Sequence, residues 1–276
     1  MARRRRRDGW AGGGRSPGRR HRRRAGTAPA VRGGRGRFRS ARHGAPAARP
    51  AAGPASIAAV TNNAKGVAGT AFNARILPVR VLGTCGGYDS DIADAIVWAS
   101  GGTVSGVPAN PNPAEVINLS LGGSGSCGTT TQNAINAAVG RGTTLVIAAG
   151  NSNVNVSTAS PANCNNVIAV GANDSAGKRS IWSSSQQSNF GTLVDVAGPG
   201  SNILSTLNSG TKGPSTESYA SYGGTSMATP HVAGVVALVQ SVSNPIKTPA
   251  QVEALLKSTV TPFPATPDKA IGAGIV

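Results

Sequence analysis

Ser226 stands in "GGTSMATPHVAG", residues 223–234, with small residues before it and an apolar run after it. Beyond it, Val232, Val235, Val236 and Val239 share one helical face and Gly234 and Ala237 are small, so a buried, closely packed helix is expected to begin at about this serine. Pro230 is expected in the first turn, where a missing N–H is tolerated. Unpaired N–H groups and the positive end of the helix dipole would then lie beside the hydroxyl, a setting that stabilises an oxyanion. The plainer reading is an N-cap serine. Two other strand ends bear on the choice. "LVIAAGNSN" stops at Gly150 and Asn151, a carboxamide that either holds a turn or donates to charge developing in a transition state. "INLSLGG" stops at Gly122 and Gly123, whose missing side chains let an extended peptide add alongside as a strand.

A serine hydroxyl attacks well only when an imidazole takes its proton and a carboxylate holds that imidazole. The chain has three histidines. His231 lies five residues past Ser226 and about 140° around the helix, so it is read as structural. His21 sits within an arginine run, and His43-Gly44 is followed by Ala-Pro-Ala.

The elements that must position these residues can be read from apolar pattern. "RILPVRVL" (75–82), "VINLSL" (116–121), "LVIAA" (145–149), "VIAVG" (167–171) and "LVDVA" (193–197) read as strands, several apolar on both faces as in a covered parallel sheet. Ile92, Ala95, Ile96 and Ala99 mark one amphipathic helix, with Asp89 and Asp91 near its N-terminus, and residues 131–140 mark a second that ends at Gly140. Alternation at this pitch predicts an α/β fold: a doubly wound, mostly parallel sheet with helices on both faces and its ligand site beyond the carboxyl ends of the strands.

Charge divides the chain in two. Of 27 Lys and Arg, 17 lie in residues 1–50 with Asp8 as the one acid there, which leaves 10 bases and 9 acids for the rest. Residues 1–55, almost wholly Arg, Gly, Ala and Pro, cannot bury a core and are expected to be disordered; residues 56–276 form the predicted domain. Three readings of the segment stay open: a passive tail, a phosphate-binding arm, or the GC-rich product of a wrong frame or start. No apolar run reaches the length of a membrane span, and none follows the Arg-rich start to act as a secretory signal. Cys85, Cys127 and Cys164 allow at most one intramolecular disulfide.

Together "GTSMATPHVAG", "AAGN" and "SLGG" resemble the motifs of the subtilisin-like serine proteases, the subtilases, over about Ile57 to the C-terminus. The resemblance implies a serine endopeptidase that forms an acyl-enzyme on Ser226, with Asn151 and the Ser226 N–H as oxyanion donors. It implies a polypeptide substrate in extended conformation, held by Ser120, Leu121, Gly122 and Gly123 and, from the other side, by Gly86, Gly87 and Tyr88 of "CGGY". Ala148, Ala149, Gly150, Asn151 and the segment around Pro161 would line the first specificity pocket. The family's His-Gly-Thr-His motif is not found: anchored on "SIAAVTNNAKGVAG", it would fall at Arg49 and Ala52, and Asp8 does not end a strand as the family's aspartate does. The first elements of the fold are therefore expected to be missing, the far end clipped at "IGAGIV", and the chain as written inactive. Its alternatives are a peptide-binding or regulatory module without turnover, and an Arg-rich nucleic-acid-binding protein. A Cys127–Cys164 disulfide suits a secreted enzyme, with Cys85 either bereft of a partner or a free buried thiol. No cofactor is required. Calcium is implied by the resemblance alone; Asp174 and Asp195 are the carboxylates considered for it, with no acidic cluster around them. A monomer with neither nucleic acid nor membrane as partner is expected.

Overall fold

The computed structural model describes residues 52–83, 85–210 and 215–276. In chain order the elements are α1 (Ala52–Ala58), α2 (Asp89–Ala99), β1 (Val116–Leu119), β2 (Gly123–Ser124), α3 (Thr129–Gly140), β3 (Thr144–Ala148), β4 (Ala159–Ser160), β5 (Ile168–Asn173), β6 (Val196–Pro199), β7 (Ile203–Asn208), β8 (Glu217–Tyr222), α4 (Thr225–Val242) and α5 (Pro249–Thr259). Helix α1 takes in residues 52–55, which composition assigned to the Arg-rich segment; the expected disorder of residues 1–51 concerns residues outside those described.

Strands β1, β3, β5 and β6 form a parallel sheet in the order β1-β3-β5-β6, the covered sheet that the apolar runs predicted. The two-residue period of a strand divides its side chains between two layers. Leu145, Ile147 and Ala169 join Ile92 and Ile96 of α2 and Ala134, Ile135 and Ala138 of α3 in one core. Val146, Ile168, Val170, Ala172 and Val196 face Ala228, Val232, Ala233 and Val236 of α4 and Val252 and Leu256 of α5 in the other. Each fully buried Val, Leu or Ile stabilises the fold by about 1.5–3 kcal/mol, so both layers are needed to hold the sheet. Two antiparallel pairs, β2 with β4 and β7 with β8, lie outside it.

Residues 75–82 differ from expectation. They belong to no strand, and Ile76, Leu77, Val79 and Leu82 are exposed. Apolar pattern makes a segment competent for a sheet, but a strand exists only when a neighbour supplies its hydrogen bonds, and none of the described strands lies beside this one.

Candidate active site

Strand β3 ends at Ala148, and the chain turns at Gly150, whose φ of +103° favours glycine. Asn151 follows at the carboxyl edge of the sheet. Helix α4 begins beside this turn, and Thr225 joins the two: its backbone N–H and its hydroxyl both donate to Asn151 Oδ1 at 2.8 Å, and the Gly150 N–H donates to Thr225 Oγ1 at 3.1 Å. With its oxygen so held, the carboxamide can offer only its N–H groups elsewhere.

Gly224, the N-cap of α4, has φ +153°. A Cβ there would stand 3.4 Å from Asn151 Nδ2 and 3.6 Å from the Ser226 N, so these two donors flank one point that glycine leaves open. Ser226 is the second residue of the helix rather than its N-cap, which sets aside the plainer reading of this serine. Its hydroxyl donates to the Ser120 carbonyl at 3.3 Å, and its own N–H has no acceptor among the described residues.

Pro230 lies in the second turn of α4, not the first. Lacking an N–H, it leaves the Ser226 carbonyl, four residues back, without its helical donor. The Ser120 hydroxyl donates to that carbonyl instead at 2.9 Å, and Asn118 Nδ2 donates to Ser120 Oγ at 3.0 Å. The helix defect thus anchors the strand end "LSL" to the serine.

The glycines beyond β1 are used by the chain itself. A Cβ on Gly122 would stand 3.0 Å from the Ser160 carbonyl, and Gly123 pairs with Ser160. Leu121 is half-buried against the α2–α3 core. Ala148 and Ala149 are 5% and 0% exposed, so any pocket wall along 148–151 is mainly backbone. "CGGY" is a turn closed by the Gly83 and Gly86 backbones rather than a strand; a Cβ on Gly87 would collide with the Val81 carbonyl, and Tyr88 is exposed.

His231 Nδ1 meets the Met227 carbonyl at 2.8 Å, one turn back, and burial lowers its pKa. That bond ties its ring to its own helix, five residues past Ser226; His21 and His43 lie outside the described residues. Cys127 and Cys164 are joined in a disulfide, while Cys85 is free and exposed, which overturns the reading of a buried thiol. Both carboxylates considered for calcium already accept hydrogen bonds within the chain. Asp195 accepts from the Ala169 N–H at 2.8 Å and from Lys257 Nζ at 2.5 Å, and Asp174 Oδ1 accepts from the Ala176 and Lys178 N–H groups in its own turn. Among the described residues no three His, Cys, Asp or Glu gather as metal ligands.

Sequence reasoning missed Thr225, Asn189 and Arg179. Asn189 is 2% exposed, and its side chain bonds to three backbone groups of the 149–154 turn. Arg179, 3% exposed, donates to Asp268 at 2.8 and 2.6 Å, to the Ser188 carbonyl and to Gln187 Oε1. An arginine buried among predicted strands needs partners, and that requirement was the one available signal.

The sequence profile of the subtilase family matches residues 51–274. An extracellular protease of Xanthomonas campestris pv. campestris is 67% identical over 221 residues, 80% of this chain and 37% of its own length. An extracellular basic protease of Dichelobacter nodosus is 50% identical over 224 residues, 80% of this chain and 36% of its own. The chain thus spans little more than a third of the length of these two relatives. A solved structure described as proteases from Pseudoalteromonas arctica superposes with a TM-score of 0.76 at 55% identity, covering 81% of this chain and 67% of that one. With its parallel sheet, its serine on the sheet-facing helix and this agreement over most of its length, the chain belongs to the subtilase family.

Proposed function

We propose that Ser226 is the nucleophile of a subtilisin-type serine endopeptidase site, with Asn151 Nδ2 and the Ser226 N–H as the donors that receive the oxyanion. The observation that carries the reading is the pair of Thr225 hydrogen bonds to Asn151 Oδ1, which turns the carboxamide N–H groups away from Thr225 beside an N–H at a helix start. Donors fixed before the reaction stabilise the tetrahedral intermediate without reorganising. The substrate is a polypeptide in extended conformation along Ser120–Gly123, with Gly86, Gly87 and Tyr88 on its other side and residues 148–151 at the first pocket. Residues 56–276, together with residues 52–55 that helix α1 takes in, act as the peptidase domain, the protein works as a secreted monomer, and nucleic acid is not its partner.

The 276 residues by themselves are proposed to lack turnover. His231 is committed to the Met227 carbonyl, and neither His21 nor His43 stands in a motif that presents a base. Loss of the base lowers turnover by about 10⁶, a figure known for subtilisin, a member of this family, and taken over rather than obtained from this chain. The test is a fluorophosphonate probe with a labelled unfolded protein as substrate. Slow labelling at Ser226 alone, with no hydrolysis above that of Ser226→Ala, is the expected result. An adduct at another residue in preference to Ser226 would overturn the assignment of Ser226. Turnover abolished by His43→Ala or His21→Ala would overturn the inactivity.

A further inference from the structure

We infer, resting on that reading, that Asn189 is a positioning residue that sets the aim of the Asn151 donor. Its Oδ1 accepts from the Ser152 N–H at 3.0 Å and the Val154 N–H at 3.1 Å, and its Nδ2 donates to the Ala149 carbonyl at 2.8 Å. Its own N–H donates to the Gly150 carbonyl at 2.8 Å, and the Gln187 N–H donates to the Asn151 carbonyl at 3.1 Å. The backbone on both sides of Asn151 is therefore tied to one buried carboxamide and its neighbours. Turn and clamp are fitted to each other: a Cβ on Gly150 would collide with Asn189 Nδ2. Behind the clamp, Arg179 Nη1 donates to the Ser188 carbonyl at 2.9 Å and to Asn153 Oδ1 at 3.3 Å, and Lys269 Nζ donates to Asn153 Oδ1 at 2.9 Å over the Phe190 ring. Thr225 holds the tip of the Asn151 side chain, and Asn189 holds the backbone from which it projects. Removing Asn189 loosens that base without removing either oxyanion donor, and a small misplacement of a donor weakens binding of the tetrahedral species far more than binding of a peptide.

The test uses the full ¹⁵N-labelled chain and two ligands, a peptide boronic acid and the same peptide ending in an amide. The Asn151 carboxamide signals are assigned by their loss in Asn151→Asp. In Asn189→Ala these signals are expected to broaden or merge, and preference for the boronate over the amide to fall about tenfold, with amide affinity held within about twofold. Val252→Ala, a core truncation in α5, is expected to lower stability and leave both readouts unchanged. Should Asn189→Ala fail to fold, Asn189→Asp keeps the two acceptor contacts and is expected to give an intermediate loss. Unchanged Asn151 signals, or equal loss of both ligands, would overturn the positioning role. A parent chain that does not prefer the boronate overturns the Ser226 and Asn151 reading instead, and the carboxamide signals still decide the role of Asn189.

Discussion

The carboxamide oxygen of Asn151 is held by Thr225 through two donors, backbone N–H and hydroxyl, both at 2.8 Å. Thr225 is fully buried, so neither bond competes with water. Thr225→Val keeps the shape, removes one of the two bonds and leaves the Gly150 N–H without its acceptor. It is expected to lower stability by about 1–3 kcal/mol in urea melts and to reduce preference for a peptide boronate about tenfold. Thr225→Ser should restore most of both.

Ser120 and Pro230 are expected to be coupled through the Ser226 carbonyl. In the parent, Ser120→Ala leaves that carbonyl unpaired beside a half-buried site and should cost about 1–3 kcal/mol. Pro230→Ala restores the helical N–H, and in that background the same substitution should cost markedly less. A double-mutant cycle on urea midpoints measures the difference; additive effects would show that the carbonyl is not shared.

Gly234 of α4 packs closely on the segment that follows α1: an added Cβ would stand 2.7 Å from Thr70 Cβ. Gly234→Ala is expected to destabilise by about 1–3 kcal/mol despite its better helix propensity. A stability gain in thermal melts would mean that the contact relaxes freely.

Acid sensitivity has two separable sources. The Arg179 guanidinium hydrogen-bonded to Asp268 holds its carboxyl below the ordinary value of 3.8, so its stabilising contribution is present above that pH and is lost as pH falls through the lower, folded value. Burial lowers the His231 pKa below 6.5, so the unfolded chain takes up its proton first and stability falls as pH drops below that point. Urea midpoints against pH should lose the upper step in His231→Gln and the lower one in Asp268→Asn. Unaltered profiles in both would refute the assignment.

The Cys127–Cys164 disulfide closes a loop with a separation of 37 residues. Its reduction is expected to cost about 4 kcal/mol by the chain-entropy estimate. Mass spectrometry under native conditions should find Cys85 alkylated at once and the other two thiols only after reduction. Rapid modification of all three without a reductant would contradict the pairing.

Much of this protein was legible from residue order. Strands β1, β3, β5 and β6, the helices α2, α3 and α4 and the serine at a helix start all follow from apolar spacing, because burial of a face and chain period are local facts. The disulfide could also be anticipated from the two cysteines that flank β3, and the nearly neutral body from composition. Other features depended on partners far along the chain. Residues 75–82 carry a strand's composition without a neighbouring strand, and Pro230 sits a turn deeper in α4 than its missing N–H suggests because the hydroxyl of Ser120, beyond the end of β1, supplies the missing bond. Thr225 and Asn189 look like ordinary polar residues until folding brings them against Asn151 across separations of 74 residues and of 35 to 40 residues from the turn. Sequence alone determined which segments would seek the core and which side chains are candidates for acyl chemistry. Tertiary structure alone decided where those side chains point, since aim is set by hydrogen bonds whose two ends share no local pattern.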